Sequence, residues 1–202
     1  MSSGTTLPDG PGRARPTLVV MVKEPRPGRV KTRLGRDIGL TASAWWFRHQ
    51  TRRLLRRIED PRWQVVLAVS PDREGLQSRI WPAHLPRVPQ GAGHLGDRMA
   101  RLLDGLRPGP VAVIGADIPA IQRPHIARAF RALADSEAVF GPAPDGGYWL
   151  VGVKGLRSMP QGFLQNVRWS SAHALEDSIQ SLEGRSFSLV DSLSDVDTAA
   201  DL

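Results

Sequence analysis

The sequence predicts a three-layer α/β protein with a mostly parallel central sheet. Three short runs rich in valine, at residues 17–22, 64–69 and 111–116, are continuously apolar after the first residue of the first two runs. Strands without polar alternation are typical of a parallel sheet that helices cover on both faces. Amphipathic helical patterns lie between these runs, and strands that alternate with helices along a chain indicate the α/β class.

The first helical pattern covers residues 40–60. At 100° per residue, its apolar side chains gather on one side and its arginines on the other, so the arginines are expected to face solvent. Trp45 and Trp46 fall on the arginine side. They could pack on the N-terminal loop, line an acceptor site, mark an oligomer interface, or lie in an irregular first turn.

The later part of the chain continues the alternation of helices and strands. Further helices are predicted at residues 95–107, where leucines recur at helical spacing, and from Pro124, because proline is favoured at the first helical position. Asp-Gly-Gly interrupts two apolar runs over residues 138–153 and predicts two strands joined by a turn. A helix at 172–183 and a short strand at 187–191 complete the pattern.

The 202 residues fit one domain with a single core. We assign residues 17–202 to that domain and residues 1–16 to a disordered leader. The longest apolar runs have about six residues, against roughly 20 for a transmembrane helix, and the N-terminus lacks a secretory signal, so we expect a cytoplasmic protein. Cysteine is absent, which excludes disulfides and thiolate catalysis, and no two of the five histidines have metal-ligand spacing.

The net charge of +7 is unevenly distributed. Residues 1–57 contain 13 Lys and Arg against 3 Asp and Glu, whereas residues 171–202 contain one Arg against 7 Asp and Glu. A basic chain could bind nucleic acid. The two segments could also face each other across a site for a metal-bound polyphosphate, and solvated surface charge is the simplest explanation for most of these residues.

A cationic loop, KEPRPGRVKTRL at residues 23–34, follows the first predicted strand. Ligands of open α/β sheets bind beyond the carboxyl ends of the strands, so this loop lies where a ligand is expected. Its two prolines and Gly28 could shape it to clamp phosphate oxygens at low entropic cost. A nucleic-acid arm or a solvated loop would explain the charge as well. The candidate phosphate-binding cations are Lys23, Arg26, Lys31 and Arg33.

Acidic residues follow the third strand and recur near the C-terminus. Asp117 lies just beyond that strand, where a carboxylate could hold a divalent cation such as Mg²⁺, although a turn or capping role is equally open. Asp195 and Asp197 would point to one side of an extended backbone, and one of them could complete the metal site. Thr198 with Asp201 resembles a capping box, which offers a local explanation for acids at this point.

Two glycine-rich stretches are further candidates for ligand contact. Gly91 and Gly93, in PQGAGHLGDRM, precede a predicted helix whose free N–H groups would favour an anion. In GPAPDGGYWL, Gly146 and Gly147 would permit close approach of a ligand to the backbone, and Asp145 could act as a base or contact the acceptor. A flexible turn and an ordinary hairpin explain the same residues.

Six motifs in order extend these local arguments: KEPRPGRVKTRL, QGAGHLGDRM, GADIPAI, GPAPDGGYWL, RWSS and DVDTAADL. Together they resemble a bacterial family of GT-A-like glycosyltransferases. This family consists of nucleotide-diphosphosugar transferases, includes members associated with arsenosugar biosynthesis, and is related to 2-phospho-lactate and molybdenum-cofactor guanylyltransferases. The resemblance covers the chain from residue 17 to its end. It implies a Rossmann-like GT-A fold that binds a nucleotide in the N-terminal half and an acceptor in the C-terminal half.

The resemblance places Asp117 at the metal-binding acid and Asp197, with Asp195 as second choice, at its partner, which implies Mg²⁺ or Mn²⁺ as cofactor. This sequence departs from the family pattern at His94, where the family commonly has Asp. The base or sugar that the glycine-rich loop would recognise is therefore left open. Together with the loop arguments the resemblance gives two sets of candidates. The nucleotide and phosphate set is Lys23, Arg26, Gly28, Lys31, Arg33, Gly91 and Gly93, and the acceptor set is Gly146, Gly147, Tyr148 and Trp169.

These roles predict a metal-dependent transferase with a nucleotide-activated donor, a small-molecule acceptor and Asp117 and Asp145 as catalytic residues. Attack at the anomeric carbon of a nucleotide-sugar would be glycosyl transfer, which the family favours. Attack at the α-phosphorus of a nucleoside triphosphate would be nucleotidyl transfer, which the cationic loop favours. We expect the first and keep the second as alternative. Non-catalytic nucleic-acid binding is the alternative of another class, against which the acidic C-terminal segment argues. No membrane partner is expected, and a homodimer is compatible with the sequence.

Overall fold

A seven-stranded sheet forms the centre of the computed structural model, which describes residues 14–106, 109–154 and 160–202. Its strands lie in the order β3-β2-β1-β4-β6-β5-β7. Strand β6 is antiparallel to both neighbours and the other pairs are parallel, so the mostly parallel sheet is confirmed. Residues 1–13 of the predicted leader lie outside the described residues. The strands are β1 (Thr17–Lys23), β2 (Gln64–Ser70), β3 (Arg87–Pro89), β4 (Val111–Gly115), β5 (Ala138–Pro142), β6 (Tyr148–Val153) and β7 (Phe187–Leu189).

Helices cover both faces of the sheet, as the three-layer prediction requires. They are α1 (Thr32–Ile38), α2 (Leu40–Ile58), α3 (Asp72–Gln77), α4 (Leu95–Gly105), α5 (Arg123–Ala132) and α6 (Ala174–Gln180). One apolar core lies between the sheet and α2 and α5, and a second lies on the face that α4 and α6 cover. In the described part of the chain, no helix has the length and apolar character needed to span a bilayer.

The long helices and the Asp-Gly-Gly turn are confirmed to within a few residues. Helices α2, α4 and α5 and the β5–β6 pair all occur where the sequence places them. Three elements, α1, α3 and β3, were not predicted. They have seven, six and three residues, and none is long enough for its apolar side chains to repeat over several periods.

Helix α2 buries its apolar side, but its arginine side is less uniform than predicted. Arg52, Arg53 and Arg56 are exposed. Arg57, predicted to face solvent, is instead partly buried and donates through Nη2 to the carbonyl oxygen of Pro119 at 2.7 Å. Burial lowers the pKa of Arg57 from its ordinary value. Its guanidinium therefore anchors the loop that follows β4.

The two adjacent tryptophans of α2 have different environments. Trp45 is 56% exposed, and its ring stacks on that of His49 with 5.3 Å between centroids. Trp46 packs partly buried against the core. Among the described residues, the α2 side chain that lines the cleft described below is Phe47 rather than either tryptophan.

The strand order changes direction between β1 and β4, which leaves a crevice at the carboxyl edge of the sheet. The chain leads from β1 towards β2 and β3 on one side, and from β4 towards β6 on the other. Loops that follow strands at such a switch point diverge, and ligands of α/β sheets bind between them. Lys23 ends β1 and Asp117 lies two residues beyond β4, and the antiparallel β6 begins with Tyr148 at the same edge.

Phe140 tests the packing of this fold, because its side chain is fully buried on β5. We expect Phe140→Ala to lower the free energy of unfolding by about 3–5 kcal/mol, since it removes buried apolar surface and leaves a cavity. Urea denaturation should show a lower midpoint with an unchanged slope. The control Leu76→Ala, on the 42% exposed Leu76, should change stability by no more than about 0.5 kcal/mol. Equal losses in the two variants would contradict the assigned core.

Candidate active site

The side chain of Lys31 meets three carboxylates at the crevice between β1 and β4. Its Nζ lies 2.5 Å from Asp117 Oδ2, 3.1 Å from Asp197 Oδ1 and 3.3 Å from Asp195 Oδ2. Arg33 adds a second cation, whose Nη1 lies 2.7 Å from Asp197 Oδ2. The basic N-terminal and acidic C-terminal segments of the sequence therefore meet at this edge of the sheet. We call these five residues the Lys31 cluster.

Backbone hydrogen bonds hold the C-terminal segment against the crevice. The N–H of Val196 donates to the carbonyl oxygen of Asp117 at 3.2 Å. The N–H of Ala199 donates to the Asp37 carboxylate of α1 at 3.0 Å. The two aspartates that flank Val196 in sequence thereby reach Lys31 from the opposite end of the chain.

The predicted capping box is present immediately after these aspartates. Thr198 caps a short 3₁₀ turn, Ala199–Asp201, and its backbone N–H and hydroxyl both donate to Asp201 Oδ2, at 2.8 and 2.9 Å. The local explanation therefore accounts for Asp201. It leaves the carboxylates of Asp195 and Asp197 available to Lys31.

Lys31 is also unusual in its backbone. It lies at the N-cap of α1 with φ 44° and ψ 50°, in the left-handed region. A residue with a Cβ costs roughly 1–2 kcal/mol there, and such positions concentrate at functional sites. Gly35 lies in α1, where it allows close packing on α2. A Cβ on it would lie 2.8 Å from a side-chain carbon of Leu40 on α2. The close packing of α1 on α2 therefore holds Lys31 in position over the crevice.

The charges of the cluster shift one another's pKa values in different directions. Burial opposes the charged form of Lys31, but Asp117 above all, with Asp195 and Asp197, outweighs it and raises the pKa of the ammonium. Burial raises the pKa of Asp195, with its acidic neighbours adding to this and Lys31 opposing it. Burial also acts on Asp197, but Lys31 and Arg33 dominate and lower its pKa. The cation-paired form is therefore the stable form at neutral pH.

The donor chemistry of the cluster suits a hard divalent cation. Carboxylate oxygens are the ligands that Mg²⁺ and Mn²⁺ prefer, and Mg²⁺ usually takes one or two from the protein with the rest from phosphate and water. Here Asp117, Asp195 and Asp197 already converge on one positive charge. In the described ranges, no three acidic or histidine side chains surround an open point as metal ligands. An ion would therefore take the place of the Lys31 ammonium.

The Lys31 cluster lies in a cleft of about 740 Å³. Eleven of the predicted site residues line it. They are Lys23, Lys31, Arg33, Gly93, Asp117, Asp145, Gly147, Tyr148, Trp169, Asp195 and Asp197. Four predicted residues lie beside it rather than in its wall: Arg26, Gly28, Gly91 and Gly146.

Arg26 and Gly28 shape the cationic loop from outside the cleft. The Arg26 guanidinium pairs with Glu74 of α3 at 3.0 Å, which directs it away from the Lys31 cluster. Gly28 has φ 75°, a conformation that few residues other than glycine adopt readily. The cleft side of this loop is instead formed by Arg29 and Thr32, which the sequence reasoning did not single out.

The glycine-rich loop before α4 is fixed by side chains of that helix. Arg101 donates to the carbonyl oxygen of Gln90 at 2.9 Å, and His94 caps α4 by accepting the Asp97 N–H on Nδ1 at 3.3 Å. The N–H of Gly91 donates to Asp72 at 3.2 Å, so it is committed within the protein. At the position where the family commonly has Asp, His94 therefore performs an N-capping role that Asp also suits.

Gln90 is a cleft residue that the sequence reasoning missed. It is 3% exposed, and its Nε2 donates to the carbonyl oxygens of Val22 and Ala68 at 3.2 and 2.9 Å. It thereby ties the ends of β1 and β2 together beneath the cleft. The signal available was a glutamine directly before a glycine at a predicted ligand edge, which by itself indicates little.

The turn between β5 and β6 forms the opposite side of the cleft. Asp145 Oδ1 accepts a hydrogen bond from the N–H of Gly147 at 2.9 Å. The second carboxylate oxygen takes no part in this hydrogen bond. Gly146 has φ 85°, and a Cβ on it would lie 2.2 Å from the carbonyl oxygen of Ala172. The N–H of Leu175, at the start of α6, donates to the carbonyl oxygen of Gly146 at 3.0 Å. The turn and α6 therefore pack as one unit.

Two aromatic rings complete this side of the cleft. Tyr148 and Trp169 meet edge to face with 6.3 Å between their centroids. The Tyr148 hydroxyl accepts a hydrogen bond from Ser178 at 3.2 Å, and burial raises its pKa, so it is neutral at physiological pH. Arg168, next to Trp169, pairs with Asp177 at 2.7 Å and lowers the pKa of that carboxyl to about 2. This side is therefore less cationic than the side that Lys31 and its neighbours form.

Sequence and structure comparisons identify the proteins that this chain is similar to. The profile of a family described as "Uncharacterized protein conserved in bacteria (DUF2064)" matches residues 54–171, which is more than half of the chain. A crystal structure described as a "putative nucleotide-diphospho-sugar transferase" from Desulfovibrio desulfuricans G20 matches with a TM-score of 0.78 and 25% identity. The match covers 91% of this chain and 83% of that chain. No protein of the curated set matches the sequence significantly.

Two more distant structures share the fold. Rv0371C of Mycobacterium tuberculosis, in complex with manganese, matches with a TM-score of 0.53 and 18% identity over 93% of this chain and 96% of that chain. A nucleotidyl transferase from Methanothermobacter matches with a TM-score of 0.56 and 13% identity over 93% of this chain and 94% of that chain. At these identities the likeness establishes the Rossmann-like α/β fold alone.

Lys31→Met tests the electrostatics of the cluster. It keeps the aliphatic stem but leaves three carboxylates facing one another, so we expect the free energy of unfolding at pH 7 to fall by about 3 kcal/mol. Without the ammonium the folded-state pKa values of these carboxyls rise, so the loss should shrink as the pH falls towards about 4 and they take up protons. Chemical denaturation at both pH values measures this difference.

Lys23→Met is the matched control for that experiment. The Lys23 side chain is exposed and makes no hydrogen bond or ion pair with the described residues, so the loss of stability should be within about 0.5 kcal/mol at either pH. A loss in Lys31→Met that is the same at pH 7 and at low pH would contradict the assigned charge pairing.

Proposed function

The chain belongs to the DUF2064 family of bacterial proteins, and we propose that it is a divalent-metal-dependent transferase that uses a nucleotide-activated donor. We infer glycosyl transfer from a nucleotide-diphosphosugar to a small acceptor as its reaction. The main observation behind this proposal is the Lys31 cluster at the switch point of the sheet. The similarity to the Desulfovibrio structure supports a nucleotide-using transferase.

The cationic side of the cleft is suited to the diphosphate of the donor. Lys23, Arg29, Lys31 and Arg33 line it, and guanidinium groups can bind phosphate oxygens with two donors at once. The αL backbone and the packing of α1 hold Lys31 before a ligand arrives, which lowers the entropic cost of binding. With a metal ion held by the aspartates, the Lys31 ammonium would be available to pair with the donor phosphates.

Asp117 and Asp197, with Asp195 as third acid, would hold Mg²⁺ or Mn²⁺. When bound, such an ion neutralises the negative charge that develops on the leaving diphosphate. The Mycobacterium tuberculosis protein, which shares the fold, has been crystallised in complex with manganese, and this supports the use of a divalent cation. Arg33 stays beside Asp197 and adds positive charge next to the same phosphate groups.

The opposite side of the cleft would position the acceptor. Tyr148 and Trp169 offer apolar ring surfaces, and the Asp145 carboxylate lies in the same wall. In the proposed step an acceptor hydroxyl oxygen forms a bond to the anomeric carbon as the bond from that carbon to the phosphate oxygen breaks. Asp145 takes the hydroxyl proton and the nucleoside diphosphate leaves with the bonding electrons.

Nucleotidyl transfer is the second candidate, and the charge of the cleft favours it. Arg98 also lines the cleft, so five cationic side chains surround it, which suits a triphosphate better than a diphosphate. The fold shared with the Methanothermobacter nucleotidyl transferase is compatible with this reaction. Here the acceptor oxygen would attack the α-phosphorus and pyrophosphate would leave.

The released product distinguishes the two reactions. Incubation of the protein with Mn²⁺ or Mg²⁺, nucleotide-sugars, nucleoside triphosphates and hydroxylated acceptors should release a nucleoside diphosphate from a nucleotide-sugar. Mass spectrometry and phosphorus NMR identify the product. Pyrophosphate from a triphosphate would establish nucleotidyl transfer instead. If no nucleotide raises the melting temperature and only salt-sensitive binding to generic nucleic acid is found, the transferase proposal fails.

Asp117→Asn tests the assigned metal carboxylate. It should reduce turnover by about 100-fold or more, because the loss of even an outer partner of a metal site typically costs 10–100-fold. The required Mn²⁺ concentration should rise as well. Asp135→Asn, at an exposed position near the end of α5, is the matched control and should keep full activity. Equal activity of the two variants would remove Asp117 from the mechanism.

A further inference from the structure

The two edge strands of the sheet differ in how well they are protected against pairing with a strand of another molecule. Strand β3 is flanked by Pro86 and ends with Pro89, and the Arg87 side chain donates to three carbonyl oxygens of the segment before it. Proline and charge on an edge are common devices against strand pairing. Strand β7, at the other edge, lies in the segment RSFSLVD at residues 185–191, which contains neither proline nor lysine.

The backbone of β7 presents hydrogen-bonding groups to the outside. The N–H of Ala138 donates to the carbonyl oxygen of Ser186, and the N–H of Val190 donates to that of Phe140. Alternate residues of a parallel strand bond to the same neighbour, so Ser186, Ser188 and Val190 face β5. The N–H and C=O groups of the two residues between them, 187 and 189, therefore point away from the sheet.

The side chains at the same two positions are exposed and apolar. Phe187 is 41% exposed and Leu189 is 52% exposed. They are in register with Ala138 and Phe140 of β5, which belong to the core beneath α4 and α6. The apolar surface of that core thus continues to the sheet edge, beside backbone groups that have no partner within residues 14–106, 109–154 and 160–202.

We propose that β7 is the contact between two copies of this chain, paired antiparallel about a two-fold axis at Ser188. This register sets Phe187 of each copy opposite Leu189 of the other, so that their outward N–H and C=O groups bond in pairs. The two phenyl and two isobutyl groups then lie together on one face of a continuous fourteen-stranded sheet.

Charge at the ends of the segment fits the same register. Arg185 and Asp191 lie three residues either side of Ser188, so each end of the pairing brings an arginine and an aspartate near one another. Each already has a partner within its own chain, Glu137 for Arg185 and Arg128 for Asp191, and a third of each side chain remains exposed. A register centred on Phe187 would set Leu189 opposite Arg185, and one centred on Leu189 would set Phe187 opposite Asp191. Either register would keep a single apolar pair and lose this charge match.

The interface is small, because it consists of one short strand pair and four apolar side chains. Interfaces at the low end of the size range are weak. We therefore expect a dimer whose population rises with protein concentration. The cleft lies at the carboxyl edge and its described lining residues exclude β7, so this contact is independent of the proposed activity.

A single cysteine tests the register directly. Ser188→Cys places a thiol on the two-fold axis, where residues of a non-hydrogen-bonded antiparallel pair have Cα atoms about 4.5 Å apart, within disulfide range. The natural chain has no cysteine, so mild oxidation should give a reducible covalent dimer as the main species. Leu76→Cys, at an exposed leucine of α3, is the control and should stay largely monomeric. The proposal is overturned if Ser188→Cys cross-links no better than this control.

A second variant keeps the test valid if the cysteine perturbs folding. Light scattering on the wild-type chain should give a mass that rises with concentration towards twice 22.1 kDa. Leu189→Lys, which adds a charge that opposes strand pairing, should weaken dimerisation at least about tenfold, whereas Leu76→Lys should not. Melting curves check that both variants are folded. A wild-type chain that stays monomeric, or a dimer insensitive to Leu189→Lys, overturns the proposal whatever the outcome of the activity assays.

Discussion

The ion pairs of Lys31 with Asp117, Asp195 and Asp197 join parts of the chain that are more than 80 residues apart in sequence, and the shape of the cleft depends on them. Lys31 is the N-cap of α1, Asp117 follows β4, and the other two acids lie in the last segment. Three carboxylates would repel one another without a cation between them. Because the cluster is partly buried, that repulsion would be poorly screened by solvent.

The need for a cation among these three carboxylates explains other features of the structure. The left-handed backbone of Lys31 costs free energy, and α1 lacks a side-chain cap, yet this geometry places the ammonium over the switch point of the sheet. Arg57 anchors the loop after Asp117 from the other side. The opposite net charges of the two ends of the chain serve one site. In the proposed function, a divalent ion and its nucleotide would bind at this cluster.

Much of the fold could be predicted from the sequence because long elements repeat their apolar pattern several times. The helices α2, α4 and α5 are of this kind, whereas β1, β2 and β4 were predicted as continuous apolar runs. The short α1, α3 and β3 could not be predicted, since their conformation is decided by contacts made in the folded protein. Arg57 was misplaced for the same reason, because a helical projection does not show that the Pro119 carbonyl lies within its reach.

The candidate site was predictable as a set of residues but not as an arrangement. Lys31, Asp117 and Asp145 were expected at one edge of the sheet because each follows a predicted strand. The six motifs added Asp195 and Asp197 to the predicted site. No pattern in the sequence shows that Lys31 lies among the acids, that Arg26 turns away to Glu74, or that Gln90 ties two strands together. These depend on side-chain directions that only the packed structure defines.

Binding of Mn²⁺ measured by electron paramagnetic resonance, with and without a nucleoside diphosphate, tests the central claim most directly. If the ion and the nucleotide share the Lys31 cluster, each must strengthen the binding of the other by the same factor. We expect tighter Mn²⁺ binding when the nucleotide is present and loss of that coupling in a variant that combines Asp117→Asn with Asp197→Asn. Mn²⁺ binding that the nucleotide does not change, or that survives both substitutions, would contradict the claim.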